Sequence, residues 1–460
     1  MRIEKDSLGE LSIPDEALYG IQTYRASKNF PISGTQVHVQ LIKSFLLLKK
    51  AAALANNKAG VLTKLKSEAI ATAVNELLSS DFEKHFIVDA YQAGAGTSQN
   101  MNTNEVIANK ANVLLGGQVG IYDHVHPNND VNMSQSTNDT YPTVMRLATL
   151  TLSKELVNEM QKLGAALKVK SQEFDLIIKS GRTHLRDAVP IRLGQEFQAY
   201  QKIIEDLTML ILQSQDYLRE LGIGGSAVGT GINVPHDYKK FILEELKNEF
   251  NDNDLFLSNN MCKSMQSQLP MMVYSNSLRA TAIELTRIAN DLRMLSSGPA
   301  NGFGEINLPS NQPGSSIMPG KVNPSILEMG NQVFFKILGN DTAMAYAISA
   351  GQLELNVMMP VMAQLALEST HILTNTLKII RELCINGITA NSEVCQKYAS
   401  QTSQIVTVLN PIIGYAKAAE LAKDSLKYNK TIIELVREQK LLSEKQIKEL
   451  LDPMKLTVPN

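Results

Sequence analysis

Leu152, Leu156, Met160, Leu163 and Leu167 follow one another at steps of four, four, three and four. That spacing lays one apolar stripe along an α-helix and fits no strand. A second stripe, Leu193, Phe197, Tyr200, Ile204, Leu207 and Ile211, is expected to start after Pro190 as a first-turn residue and to end before Gly222. Further helical runs are read from Leu278 to Leu295 and from Leu353 to Leu377. Helices of this length exceed the mean of about 11–12 residues and can bury their stripes only by packing lengthwise, as a bundle. The absence of Trp, with aromatics at 5%, also disfavours a strand-rich sandwich. A fold of long packed helices is therefore expected, with the Tyr and Met on the stripes serving as core.

Lys and Arg number 44 against 46 Asp and Glu, a formal charge of -2 over 460 residues. A nucleic-acid partner would call for a basic excess or a basic block, so a small-molecule partner is expected instead. Cys262, Cys384 and Cys395 lie far apart with no Cys-x-x-Cys pair, which suggests neither a disulfide framework nor a zinc cage and suits a reducing compartment. The opening MRIEKDSLGE lacks the apolar run of a signal peptide, and no stretch reaches the roughly 20 apolar residues that span a bilayer. A cytoplasmic protein without membrane contact is the expectation.

Three turn-rich stretches interrupt the helices: Gly94–Glu105, His126–Asp139 and Ser297–Pro324. They are the candidate functional loops. Gly222–Gly231, GIGGSAVGTG, follows a helix rather than a strand and reads as a turn between helices, not a dinucleotide loop. The run from Gly314 to Lys321 is no phosphate loop either: five residues separate Gly314 from Gly320, and Val322 stands where a hydroxyl would bind magnesium. What it does present is two hydroxyls, a lysine and Asn323. Thr97, Ser98, Asn100, Ser136, Thr137 and Asn138 add neutral hydrogen-bonding groups suited to carboxylates, and His184 sits in a polar turn between two long helices. His124 and His126 lack a completing ligand set, so no metal or other cofactor is expected.

Read together, GAGTSQNMNTNEVIAN, VNMSQSTND, GRTHLRDAVPIRLGQEF, GSSIMPGKVNP and AGQLELNVM resemble the aspartase/fumarase superfamily, whose signature is GSSIMPGKVNP. The likeness runs from RIEKDSLGE to LDPMK near the C-terminus, and it is strongest to the aspartate ammonia-lyases. The resemblance implies an all-α fold of three domains, here 1–135, 136–390 and 391–460, with a central long-helix bundle forming the core of a homotetramer. Active sites shared between subunits are also implied, as is a dicarboxylate or amino-acid substrate. The reaction implied is the reversible elimination of ammonia from L-aspartate to give fumarate.

The proton removed in such a reaction is barely acidic, so the doubly charged aci-carboxylate needs preorganised donors. By correspondence with the family, Ser315 in its oxyanion form is the general base, and Lys321 and Asn323 hold the α-carboxylate. Thr97, Ser136, Thr137 and Ser316 hold the carboxylate beside the departing proton. Asn138, Thr183 and His184 surround the amino group, and Glu328 pairs with His184. Three positions depart from the family pattern: Ala300 replaces a usual arginine, Ile412 a common histidine and Val273 a typical glutamate. They keep open a lyase with another amine as leaving group. A fumarate hydratase, and a non-catalytic helical scaffold like the superfamily's lens relatives, are the other readings.

Overall fold

The computed structural model describes residues 1–452 and 454–458, so Pro453 of the LDPMK stretch lies outside the described residues. Helices carry most of the chain. They are α1 (Ile21–Asn29), α2 (Val39–Lys58), α3 (Lys64–Leu78), α4 (Thr97–Leu114), α5 (Thr137–Glu173), α6 (Leu193–Leu218), α7 (Tyr238–Phe250) and α8 (Met261–Gln266). There follow α9 (Leu269–Leu295), α10 (Ser325–Ser349), α11 (Met359–Leu383), α12 (Ser392–Gln401), α13 (Asn410–Ile413), α14 (Tyr415–Tyr428), α15 (Ile432–Glu438) and α16 (Glu444–Leu450). Every member of the two stripes read from α5 and α6 is buried. Short two-stranded ladders punctuate the helices: β1 (Arg2–Asp6) with β2 (Gly9–Ile13), and β3 (Ile178–Thr183) with β4 (Arg186–Arg192), both antiparallel. Minor pairings join β5 (Glu220–Leu221) to β6 (Phe256–Leu257) and β7 (Ile306–Asn307) to β8 (Thr389–Ala390).

Three local expectations are corrected. Pro190 does not open a helix; it lies in β4 opposite Ser180, next to a register shift, and α6 begins at Leu193. A proline cannot donate to a ladder, and such positions are where a strand tolerates one. The GRTH stretch accordingly forms the end of a hairpin rather than a turn between helices. The run from Leu353 is also not helical at its start: Leu353 is 84% exposed with φ 48°, and α11 begins at Met359. Asn356 sets that break, donating to the Ala347 and Ile348 carbonyls and accepting from Met358 N–H at 2.8 Å. One side chain thereby stops α10 and starts α11.

By contacts the chain divides into two compact units. The first comprises residues 1–157, 209–282 and 335–374. In it α2 packs on α3 and α7, and α3 on α4. The second comprises residues 158–208, 283–334 and 375–460. There the β3–β4 hairpin packs on α12, and a separate apolar cluster joins Ile405, Leu409, Leu421, Ile432, Val436 and Ile447. That cluster holds Ile432 and Leu435 buried, with Leu441 packed against it, and Thr431–Glu434 and Ser443–Gln446 capping boxes fix the starts of α15 and α16. Among the described residues, no helix is long and apolar enough to cross a membrane.

α4 is polar on nearly every side and still buried, including Gln99, Asn102, Glu105, Asn109 and Asn112. Glu105 accepts the N–H groups of Gly20, Gln22 and Thr23 and the Thr23 hydroxyl. Burial nonetheless pushes its carboxyl up to about 7, against the pull of those donors. Glu105→Gln would aim an amide N–H₂ at backbone N–H groups. We expect the variant to lose about 3 kcal/mol of stability, read as a lower urea midpoint with an unchanged m-value.

Candidate active site

In the first unit, the candidate residues sit where two helices begin. Gly96, at φ 80°, lies against the ring of Tyr141 with no room for a Cβ, and this close approach delivers Thr97 as the first residue of α4, exposed. Ser136 and Thr137 lead into α5. The Thr137 hydroxyl accepts from Asn100 Nδ2 at 3.1 Å, which joins the two helix starts directly. Asn138 donates to the Ala227 carbonyl at 2.8 Å.

Asp139 holds this corner. Its fully buried carboxylate accepts Ser136 N–H on one oxygen and Gly224 and Ser226 N–H on the other. Burial lifts its carboxyl to about 6. The Gly222–Gly231 loop is thus a turn fastened to the start of α5, and it follows the short strand β5 rather than a helix directly. Gly229, at φ 94°, allows the loop to lie against the backbone of Cys262.

Beneath both helix starts lies a residue the sequence reading passed over. Lys49 of α2 is fully buried and donates to Asn132 Oδ1 at 2.9 Å and Gln135 Oε1 at 3.0 Å, both neutral. Burial lowers its pKa to about 7, with Asp139 the opposing charge. The signal was present: Lys49 occupies a helical position in line with Leu41, Phe45 and Ala52, all buried. A lysine in an apolar stripe needs a reason.

In the second unit, Thr183 and His184 lie at the exposed end of the β3–β4 hairpin, with His184 at φ 54° and Leu185 at φ 56°. The hairpin is anchored by Glu305, wholly buried, which pairs with Lys179 at 2.8 Å and Arg182 at 2.9 Å. The Arg182 guanidinium also lies 4.2 Å from the Phe303 ring centroid. A cavity of about 580 Å³ adjoins the hairpin, lined by Thr183, Leu185, Gln195 and Glu196 among others.

The signature loop is closed by its own backbone. Gly314 N–H donates to the Lys321 carbonyl at 2.8 Å, and Asn323 Nδ2 to the Gly314 carbonyl at 2.6 Å. Within the closure the Ser315 hydroxyl oxygen accepts the N–H groups of Ile317 at 3.3 Å and Met318 at 3.0 Å. Ser315 is half-buried, while Ser316 and Lys321 are exposed. Lys321 and Asn323 line a cleft of about 740 Å³ with Ala300, Asn391, Lys397 and Tyr398. Glu328, in the first turn of α10, has Arg293 as its charge partner at 3.9 Å. Among the described residues it makes no ion pair with His184.

Comparison with known proteins matches this geometry to a lineage. A lyase family model covers residues 9–339, and a model of the fumarase C C-terminus covers residues 405–458. The chain belongs to the aspartase/fumarase superfamily. It is 43% identical to the aspartate ammonia-lyase of Bacillus subtilis (strain 168), over 100% of this chain and 96% of that one. It is 42% identical to the class II fumarate hydratase of Bacillus anthracis, over 100% and 99%. The crystal structure of fumarate lyase:delta crystallin from Brucella melitensis superposes with a TM-score of 0.95 at 43% identity, covering 100% of both chains. That of class II fumarase from Schistosoma mansoni gives 0.96 at 34%, covering 100% and 99%. The lyase fold and the expectation of a dicarboxylate substrate rest on these matches.

The buried lysine yields a pH test of this lyase. Lys49 has a folded pKa near 7 and an unfolded value near 10.5, so between those limits the unfolded chain binds more protons and stability rises with pH. Relative to Lys49→Met, the wild type should gain on the order of 1 kcal/mol per pH unit from pH 7 to 9. Urea midpoints of both proteins across that range provide the check.

Proposed function

We propose that this lyase is an aspartate ammonia-lyase, converting L-aspartate reversibly to fumarate and ammonia. The observation that carries the reading is the pair of backbone N–H groups at the Ser315 oxygen. A serine hydroxyl is a poor base at neutral pH, and its alkoxide becomes accessible only where preorganised donors hold the negative charge. Ile317 and Met318 supply two such donors from a loop whose closure fixes them. In this reading Ser315 removes the proton, giving an aci-carboxylate held by Thr97, Ser136, Thr137 and Ser316. Lys321 and Asn323 grip the α-carboxylate. Asn138, Thr183 and His184 surround the amino group, Glu328 orients His184, and ammonia leaves as the double bond forms.

Preference for aspartate over malate draws on DAVPIRLGQEF, with Val189 before the proline, and on the aspartate ammonia-lyases at 43–45% identity over the whole chain. A fumarate hydratase is the second reading, favoured by the 42% identical relative. The deciding measurement is ultraviolet detection of fumarate from L-aspartate and L-malate separately. Fumarate from aspartate with equimolar ammonia is expected, and fumarate from malate alone would move the assignment to a hydratase. Ser315→Ala should reduce turnover at least about a thousandfold with unchanged circular dichroism, as loss of a nucleophile or base does elsewhere; near-normal turnover would remove Ser315 from its role.

The reading includes the three-domain division and a homotetramer with sites shared between subunits. That arrangement gives His184 and Glu328 a place to meet that a single chain does not use. Sedimentation with activity measured across the boundary should find activity only in the tetramer, and an active monomer would overturn the shared site.

A further inference from the structure

The hydrogen bonds beneath Thr137 run in one direction. An ammonium carries donors only, so the Lys49 contacts fix an oxygen, not an amide nitrogen, of Asn132 and of Gln135 toward it. The other ends of both amides agree: Asn132 Nδ2 donates to the Gln135 carbonyl at 3.2 Å, and Gln135 Nε2 donates to the Val131 and Met133 carbonyls. Asn132 Oδ1 also accepts from Asn100 Nδ2 and Asn104 Nδ2, each at 3.2 Å. Asn100 must therefore face this centre with its nitrogen, and its remaining N–H reaches the Thr137 oxygen at 3.1 Å. Flipping Asn100 would set its oxygen against Asn132 Oδ1.

A hydroxyl that is already accepting is left with its own proton to give. Thr137 has no acceptor among the described residues, while it is half-buried and opens α5 beside Ser136. Asn100 Oδ1, also buried, likewise has no hydrogen-bond partner among the described residues. We infer that Lys49 is a positioning residue: through Asn132 and Asn100 it sets the polarity of the chain, so that the Thr137 hydroxyl donates outward to a ligand carboxylate. The inference rests on the reading of Thr137 as a carboxylate-holding residue and adds how its proton is directed. Lys49 does not touch the ligand. Asp139 is the other charged group near Lys49, and its carboxylate is taken up by backbone N–H groups.

The test is a double-mutant cycle on binding of succinate, a dicarboxylate with no group to eliminate, titrated calorimetrically into the full-length protein at pH 6. Thr137→Val should weaken binding about tenfold, the effect of one lost hydrogen bond to a charged group. Lys49→Met should weaken it about three- to tenfold in the wild-type background and less than about twofold in the Thr137→Val background, because contacting residues in one network are not additive. An equal loss in both backgrounds would mean that Lys49 acts through space as a charge, or only on stability. It would overturn the inference and leave the reading of Thr137 intact. No loss on Thr137→Val would overturn that reading and the inference with it. Should Lys49→Met fail to fold, Asn132→Leu breaks the same chain one link later and is measured against Thr137→Val by the same criterion.

Discussion

A buried amide without a partner costs about 1–3 kcal/mol, and α4 buries a row of them. This constraint organises the first unit. Asn109 takes the Leu18 carbonyl and the Gly120 N–H; Asn112 takes the Val125 carbonyl and the N–H groups of His124 and Val125. Glu105 collects Gly20, Gln22 and Thr23. Segments remote in sequence are wound onto one helix by hydrogen bonds between their backbone and its polar side chains, which apolar side chains could not direct. The start of the same helix carries Thr97, so a residue proposed to hold a carboxylate stands on a scaffold with little freedom to relax. Preorganisation of that kind is what an aci-carboxylate requires.

The second unit solves a different problem with charge. Glu305 is wholly buried, and a buried carboxylate persists only when paired and hydrogen-bonded. Its side chain takes Lys179 and Arg182 from β3, while its backbone carbonyl takes the N–H of Asn391 and the Cys395 thiol. One residue after Glu305, Ile306 begins the β7–β8 pairing. The hairpin carrying Thr183 and His184 is therefore fixed at its base while its tip stays exposed. The signature loop, by contrast, is closed on itself through Gly314, Lys321 and Asn323. Rigid bases with exposed tips suit residues that must meet partners from elsewhere, as the shared-site reading demands.

The stripes of α5 and α6 were legible because burial of a helix face is a local, periodic property. The signature loop was legible through resemblance, since its geometry uses consecutive residues. Three things were hidden for physical reasons. The β3–β4 hairpin carries Gly181, Pro190 and five charged side chains, so it lacks the apolar alternation that marks a strand. The α10–α11 break depends on one asparagine serving both helices, and nothing in apolar periodicity reports a side-chain cap. Lys49 and Glu305 act through partners 83 and 123 residues away, Asn132 and Arg182 respectively. Such pairings exist only once the fold has formed them.

The three departures from the family pattern are not equivalent in this structure. Val273 lies half-buried in α9, and Ile412 is 47% exposed in α13; neither lines the two clefts that hold candidate residues. Ala300 does: it shares the larger cleft with Lys321 and Asn323. A guanidinium in place of its methyl would add a third cation to a cleft already lined by Lys321 and Lys397. Its absence leaves Lys321 and Lys397 as the positive charges of that cleft. A lysine is a flexible point charge without the planar fork of arginine, so it attracts a carboxylate without fixing its plane. In the proposed site, orientation of a carboxylate would fall to Asn323, one N–H of whose amide is already given to the Gly314 carbonyl. Of the three departures, position 300 is therefore the one placed beside residues proposed to hold the substrate.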